Sequence, residues 1–272
     1  MSITADCHVH SSYSGDSNTP MESMIKEGIR RGLTHLCFTE HYDLDFPVSE
    51  EIPQGFFEVN TDSYLYELIR LREKYASQIQ VRFGIEIGLQ PHLLRPISAY
   101  ARSYDFDFII GSCHLSNRLD PYDPRYFEDR SEEDAYREYF SSTIENINKF
   151  SNFDVLGHLD YVIRYGPNKD KEYSYETYKD LFDPMLERLL ENGKGMEINT
   201  AAFKYGLKEQ HPCTAILKQY RKLGGEIITI GSDAHTPDRL CADFDRAAEV
   251  LKACGFHYYT IFEKRLPEFK KL

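Results

Sequence analysis

The order of secondary-structure signals along the chain is the feature that most constrains its fold. Short apolar runs rich in β-branched and aromatic residues alternate with helical patterns over almost the whole sequence. This alternation predicts parallel strands joined by crossover helices. Eight segments have the strand pattern: ITADCHVH, THLCFTEH, VRFGIEIG, DFIIGSCH, DVLGHLDYV, GMEINT, EIITIGSDAH and HYYTIF.

Two of the intervening segments have apolar residues at helical spacing, which places those residues on one face of a helix. We expect both faces to pack against the core rather than to form a cofactor site. The two sets are Tyr136, Phe140, Ile144 and Ile147, and Tyr178, Phe182, Met185 and Leu189.

Histidines and acidic residues lie near the carboxyl ends of most of the strand segments. In a closed barrel these ends meet at one face, where active sites form, whereas an open doubly wound sheet would leave several of them far apart. We therefore predict an α/β barrel that forms a single domain over residues 1–272, with no repeat or linker dividing it. The candidates are His8, His10, His41, Glu86, His114, His158, Glu197, Asp233 and His235.

The spacing of these residues indicates that they converge. His8 and His10 lie two residues apart, so their side chains leave a strand on the same face, and Asp233 and His235 repeat this spacing. Glu86 lies in an otherwise apolar strand, where an unpaired carboxylate would be costly to bury. A bound cation would offset that cost.

Imidazole and carboxylate groups without thiolates suit Zn²⁺, Mn²⁺ or Fe²⁺. Nine such groups exceed the needs of one tetrahedral site, so two or three ions are expected. The six cysteines lie far apart without a CxxC motif, and we interpret them as buried free thiols. The remaining histidines are expected to be structural or on the surface: His35, His92, His211 and His257.

Taken together, the motifs HxH, TEH, GIEIG, GSCH, GHLD and SDAH resemble the polymerase and histidinol phosphatase (PHP) superfamily over residues 6–236. Within it, the pattern HxHxxYSxDS with Asp16, the motif TEHYD, the chain length and the long loops are similar to the monofunctional L-histidinol-phosphate phosphatase branch. Related enzymes often have a histidine where Asp16 stands, so this position marks the branch.

The resemblance implies a distorted (β/α)₇ barrel, similar to a TIM barrel, with three metal ions at the carboxyl ends of the strands. One ion would be held by His8, His10, Glu86 and Asp233, a second by Glu86, His114 and His158, and a third by Asp16, His41 and His235. The roles of Glu40, Asp160 and Glu197 stay open at this point; Asp160 is a candidate for orienting its neighbour His158.

The implied activity is hydrolysis of L-histidinol phosphate in histidine biosynthesis. Divalent ions would neutralise the phosphate dianion and lower the pKa of a bridging water, whose hydroxide would attack phosphorus. Arg164, six residues after His158, is our candidate for binding the equatorial oxygens, by position and by resemblance. The alternative, a solvated surface arginine, stays open, and in that case the phosphate-binding group would be one of Arg118, Arg125, Lys169 and Arg239, on other loops of the same face.

Two long connections, residues 42–63 and 116–131, are rich in acidic residues, aromatic residues and proline, and we interpret them as lids over a binding site. Acidic and aromatic residues in the first, such as Asp43, Asp45, Phe56 and Phe57, are candidates for receiving the amine and imidazole of the substrate.

Charge and composition restrict the partners. The formal net charge of −12 disfavours binding to a nucleic-acid backbone, and no apolar run is long enough to span a bilayer. The chain starts without a secretory signal pattern, so we expect a cytoplasmic location. The alternatives are a PHP-type phosphoesterase acting on nucleotides or oligonucleotide ends and a non-catalytic metal-binding protein. The oligomeric state is left open.

Overall fold

Seven parallel strands pair in the order in which they occur along the chain. The computed structural model describes residues 3–272. Each neighbouring pair is parallel, as the alternation of strand and helix predicts. The strands are β1 (Ala5–Val9), β2 (His35–Tyr42), β3 (Gln80–Gly88), β4 (Phe108–Ser112), β5 (Val155–Leu156), β6 (Gly195–Asn199) and β7 (Ile228–Gly231).

Helices connect these strands and cover the sheet. The side chain of Asn60 accepts a hydrogen bond from the Ser63 amide and caps α2, and Ser131 caps α4 in the same way through the Asp134 amide. The helices are α1 (Met21–Arg30), α2 (Thr61–Tyr75), α3 (Leu94–Tyr100), α4 (Glu132–Lys149), α5 (Lys179–Glu191), α6 (Thr214–Lys222) and α7 (Phe244–Ala253).

The first and last strands of the sheet come together and nearly close a barrel. The Asp233 amide donates to the His8 carbonyl at 2.9 Å, and the His10 amide donates to the Ala234 carbonyl at 2.9 Å. The buried carboxylate of Asp6 accepts hydrogen bonds from the Ser232 amide (3.0 Å), the Ser232 hydroxyl (2.5 Å) and the Cys241 amide (3.0 Å). The predicted single-domain α/β barrel is confirmed.

The eighth predicted strand is not part of this barrel. It forms β8 (Tyr258–Glu263), which pairs antiparallel with β9 (Leu266–Lys271), a strand that the exposed sequence LPEFKK did not indicate. The hairpin packs where the barrel strands begin: Phe262 stacks on Phe108, and Thr260 accepts from the amide of Ile228. Because the residues that follow β7 already hydrogen-bond to the end of β1, β8 does not join the sheet as a further parallel strand.

Both predicted apolar stripes pack against the core, as expected. Tyr136, Phe140 and Ile147 of α4 are buried, and Ile144 is half-buried. In the second stripe, Tyr178 precedes α5 in a short 3₁₀ turn, and the other members lie on the buried face of the helix. All six cysteines are buried and unpaired. Within residues 3–272, every helix is too short or too polar to cross a membrane.

The two long loops lie at the end of the barrel where the strands finish. Phe46 and Phe57 of the first loop and Asp120 of the second line a cavity at that end. The first loop is fixed to β2 by a bridge between Tyr42 and Glu58. That the loops act as lids stays a prediction.

We expect Asp6→Ala to lower the free energy of unfolding by about 3 kcal/mol, because the buried Ser232 and Cys241 donors lose their acceptor. Asp6→Asn should be intermediate, since its amide group faces donors where an oxygen stood. Urea unfolding at a fixed metal concentration measures the change, with the exposed Asp105→Ala as the control. Wild-type stability of Asp6→Ala would show that this carboxylate does not stabilise the closed barrel.

Candidate metal centre

The polar residues predicted from the sequence converge at the carboxyl ends of the strands. His8, His41, Glu86 and Glu197 lie within strands β1, β2, β3 and β6, and the others lie in the residues that follow a strand. Parallel strands bring these ends together because each enters the barrel from the same side. The members that follow strands are His10, Asp16, His114, His158, Asp233 and His235.

Glu86 lies at the centre of this cluster and is fully buried. The register of β2 and β3 pairs it with His41, so the two side chains leave neighbouring strands on the same face. Glu86 Oε2 lies 3.1 Å from His41 Nδ1, 3.3 Å from His8 Nε2 and 3.6 Å from His10 Nε2. One carboxylate oxygen thus faces three imidazole nitrogens.

The other oxygen of Glu86 faces two further histidines. Glu86 Oε1 lies 2.9 Å from His158 Nε2 and 3.2 Å from His114 Nε2, and it accepts a hydrogen bond from the Ser112 hydroxyl at 2.6 Å. This arrangement, with imidazoles on both oxygens, is the geometry of a carboxylate able to bridge two cations.

Two aspartates complete the cluster on either side. Asp233 Oδ1 lies 3.5 Å from His10 Nε2 and 3.7 Å from His8 Nε2. Asp233 has a left-handed backbone conformation, with φ at 53°, which a short polar residue tolerates. On the other side, Asp16 Oδ2 lies 2.9 Å from His235 Nε2 and 3.6 Å from His41 Nε2.

These separations suit divalent cations. Ligand atoms about 2 Å from a tetrahedral ion lie roughly 3.3 Å from one another, close to the separations around Glu86. Within residues 3–272, Glu86 Oε2 has no hydrogen-bond donor, and such a buried oxygen is costly without a cation. Three groups place their ligand atoms within 4.8 Å of one another: His10, His41 and His235; His8, His10 and Asp233; and His41, Glu86 and His114.

These groups differ in part from the three ligand sets that the resemblance implies. His10 and His41 each occur in two of the groups, so these imidazoles lie between neighbouring positions. Asp16 and His158 lie outside the groups but close to them, beside His235 and Glu86 respectively. All nine predicted ligands are therefore brought together.

Carboxylates behind the cluster orient several of its imidazole rings. His8 Nδ1 donates to Glu197 at 2.6 Å, and His114 Nδ1 donates to Asp43 at 2.7 Å. In both rings this leaves Nε2 to face Glu86, as in many metal sites where a carboxylate fixes the histidine tautomer. Gly231 leaves the space for this contact, since a β-carbon there would lie 2.2 Å from the Glu197 carboxylate.

Glu40 performs the same task through a hydroxyl group. Its buried carboxylate accepts from the hydroxyls of Ser11 (2.5 Å) and Ser14 (2.6 Å), although Glu40 leaves β2 on the face opposite His41. Because the Ser14 hydroxyl donates its hydrogen bond to Glu40, its oxygen accepts a hydrogen bond from His10 Nδ1 at 2.9 Å. His10 Nε2 is then free to face the cluster.

The electrostatics of the cluster favour cations. Burial raises the pKa of Glu86, but the charges of His8 and His114 outweigh it and hold this pKa well below its usual value. Burial lowers the pKa of His114, yet the adjacent Asp43 and Glu86 raise it to about 10. Burial and neighbouring imidazoles lower the pKa of His10 to about 3. The carboxylates thus keep their negative charge and attract positive charge.

Arg164 lies beside this cluster and lines the cavity above it. It is only 5% exposed, which excludes the alternative of a solvated surface arginine. Its Nη2 lies 3.3 Å from Asp233 Oδ2, and its guanidinium is flanked by the rings of Tyr161 and Tyr205, with centroids 4.9 and 4.8 Å away. A fixed cation beside a candidate metal site is suited to binding an anionic group.

Two residues of this site were missed by the sequence analysis, and a third was assigned a different role. His211, expected to be structural or on the surface, is buried against Arg164, and Ser14 was not singled out. Asp43, expected to receive the substrate, is buried and bonded to His114. Asp43 directly follows β2, so its position at a strand end could have indicated its place beside the ligands. His211 lies in a loop between β6 and α6, away in sequence from any strand end, and had no such signal.

Known proteins are similar to this chain over nearly its whole length. The PHP domain family matches residues 6–201. The histidinol-phosphatase of Lactococcus lactis subsp. lactis is 33% identical over 258 residues, covering 94% of this chain and 93% of that protein. A probable histidinol-phosphatase of Clostridium acetobutylicum is 31% identical over 267 residues, covering 97% and 98%.

A solved structure has the same fold. It is the crystal structure of histidinol phosphate phosphatase from Lactococcus lactis subsp. lactis, complexed with zinc, L-histidinol and phosphate. The TM-score is 0.89 at 31% identity, with 97% of this chain and 98% of that chain covered. The similarity therefore extends over almost the whole of the fold.

We expect Glu86→Gln to lower the metal content by at least about one ion per chain, because the substitution keeps the shape of the side chain but removes the charge that faces five imidazoles. Elemental analysis of protein purified in parallel with the wild type measures the loss. The exposed Glu226→Gln serves as the control. Full metal occupancy in Glu86→Gln would exclude a bridging role for this carboxylate.

Proposed function

The chain belongs to the PHP domain family, and we propose that it hydrolyses L-histidinol phosphate to L-histidinol and inorganic phosphate in a metal-dependent reaction. The choice of substrate is supported by the similarity to the Lactococcus lactis enzyme, whose structure contains zinc, L-histidinol and phosphate. Its sequence and its fold match this chain almost from end to end. The reaction belongs to histidine biosynthesis, as the names of the relatives imply.

Three divalent ions per chain, of zinc, manganese or iron, are our proposal for the cofactor. The support is the number of ligand atoms around Glu86 and the buried oxygen of this residue that lacks a donor. When bound, such ions neutralise phosphate charge and make water a nucleophile at neutral pH. The proposed ligands are His8, His10, Asp16, His41, Glu86, His114, His158, Asp233 and His235.

The protein's own side chains hold the substrate in this scheme. Arg164 binds equatorial oxygens of the phosphate group and stabilises the negative charge that they carry in the transition state. Phe46 and Phe57 form an apolar wall of the cavity, and the ring of Phe57 contacts His41 edge-on with centroids 5.4 Å apart. This wall excludes water from one side of the cluster and offers a surface for the imidazole of the substrate.

We also propose a cytoplasmic location and a small molecule as the only substrate partner. The six buried free thiols fit a reducing compartment. The net charge of −12 opposes binding of nucleic acid.

We expect kcat/KM for L-histidinol phosphate to exceed that for adenosine monophosphate by at least roughly 10²-fold, because one cavity has to accept the whole substrate. Phosphate release from both compounds, with the same metal-loaded protein, measures the ratio. Equal efficiency on the two compounds would instead favour a phosphoesterase of broad nucleotide specificity. No release from either would favour a metal-binding protein without this activity.

We expect Arg164→Ala to lower kcat/KM roughly 10²- to 10³-fold while all metal stays bound, since arginine does not ligate cations. Arg164→Lys should recover only part of the loss, because lysine restores the charge but not the planar fork that meets two oxygens. Metal content, kcat/KM and inhibition by inorganic phosphate are measured together on the three proteins. Wild-type values for Arg164→Ala in both kinetic measurements would exclude it as the phosphate-binding group.

A further inference from the structure

His211 is a buried histidine that the metal cluster does not use as a ligand. It is 0% exposed, and both of its ring nitrogens have partners. Nε2 lies 3.0 Å from Arg164 Nε, and Nδ1 lies 2.5 Å from Asp160 Oδ1. Neither Arg164 nor Asp160 is adjacent in sequence, so the fold builds this contact.

The protonation of this histidine follows from its partners. Arginine Nε always carries a hydrogen and can only donate, so Nε2 of His211 has to be the acceptor. The ring proton therefore lies on Nδ1 and is donated to Asp160. Burial lowers the pKa of His211, and the nearby charge of Arg164 adds to this effect, which agrees with a neutral ring.

Asp160 is itself held in place, so the direction of these bonds is fixed. Its second oxygen, Oδ2, accepts from the Tyr173 hydroxyl at 2.9 Å and from the Cys213 amide at 3.0 Å. His211 is also held by its backbone, which exchanges hydrogen bonds of 2.7 and 3.0 Å with Asn199 at the end of β6. The pair of side chains is thus anchored to rigid parts of the barrel.

We propose that His211, held by Asp160, is a positioning residue that fixes the orientation of the Arg164 guanidinium for the phosphate group. The inference rests on the proposed function. A flexible side chain such as arginine loses affinity for a phosphate group when its planar guanidinium is not preorganised. His211 accepts from Nε and Asp233 accepts from Nη2, so two of the three guanidinium nitrogens are held while Arg164 lines the cavity.

Two substitutions of His211 separate positioning from packing. His211→Asn keeps a donor for Asp160 but does not reach Arg164, whereas His211→Gln places an amide oxygen near the position of Nε2. We expect His211→Asn to lower kcat/KM for L-histidinol phosphate by roughly 10- to 100-fold and to weaken inhibition by inorganic phosphate, with metal content unchanged. His211→Gln should recover most of both losses.

Asp160→Asn tests the same inference while His211 stays in place. The Cys213 amide and the Tyr173 hydroxyl both donate to Oδ2, so the asparagine oxygen takes that position and its NH₂ group faces His211 Nδ1. The ring proton then moves to Nε2, where it opposes the N–H of Arg164. We expect a loss in kcat/KM similar to that of His211→Asn, so the inference stays testable if a His211 variant fails to fold.

A double-mutant cycle shows whether His211 acts through Arg164. Lysine at position 164 has no Nε–H group, so His211→Asn should add little further loss in the Arg164→Lys protein. A loss in the double variant equal to the product of the two single losses would overturn the inference. The exposed His257→Asn is the matched control and should leave all measurements unchanged.

The other outcomes are also decisive. If Arg164→Ala lowers kcat/KM but His211→Asn and Asp160→Asn do not, the positioning inference is wrong and the proposed function stands. If Arg164→Ala itself has no effect, Arg164 does not bind the phosphate group, and the proposed positioning by His211 is wrong as well. Equal losses in His211→Asn and His211→Gln, together with reduced thermal stability, would assign His211 to packing alone.

Discussion

The buried carboxylate of Glu86 is the group on which the site depends. It lies in the wall of the barrel with five imidazoles around it, and one of its oxygens has no hydrogen-bond donor. A charged group in that position is tolerated only with positive charge nearby. The histidines at neighbouring strand ends, and the ions that they are suited to bind, therefore explain how an acidic residue can occupy an otherwise apolar strand.

The polar residues behind this cluster form a second layer with a recurring design. Glu197, Asp43 and Glu40 direct His8, His114 and, through a serine hydroxyl, His10, so that each ring presents Nε2 to the cluster. The Asp160–His211 pair repeats this design, but its imidazole faces an arginine instead of the cluster. A buried carboxylate that selects one tautomer thus orients both candidate metal ligands and the histidine beside the candidate phosphate-binding arginine.

The two ends of the barrel differ in the residues that they bury and in what those residues contribute. Where the strands begin, the β8–β9 hairpin packs on β4 and β7 through apolar contacts and backbone hydrogen bonds, and Arg265 and Lys264 bind Asp107. Where the strands finish, charged residues and two long loops surround a cavity. This separation lets one end contribute stability while the other keeps costly buried charges, as is typical of barrel enzymes.

Local sequence patterns were enough to predict a parallel α/β barrel and most of the polar residues at the carboxyl ends of its strands, because strand–helix alternation and position at a strand end are properties of short segments. The family was also identified from motifs that each span only a few residues.

The partners of Glu40 and His211, and the pairing of β8 with β9, depend on tertiary contacts that these patterns do not show. Glu40 leaves β2 on the face that periodicity assigns away from the cluster, yet it reaches two serines in the loop after β1. His211 and Arg164 are 47 positions apart, on connections that follow different strands, so no local spacing rule relates them. Contacts of this kind depend on how loops pack after the barrel closes, which local sequence patterns do not encode.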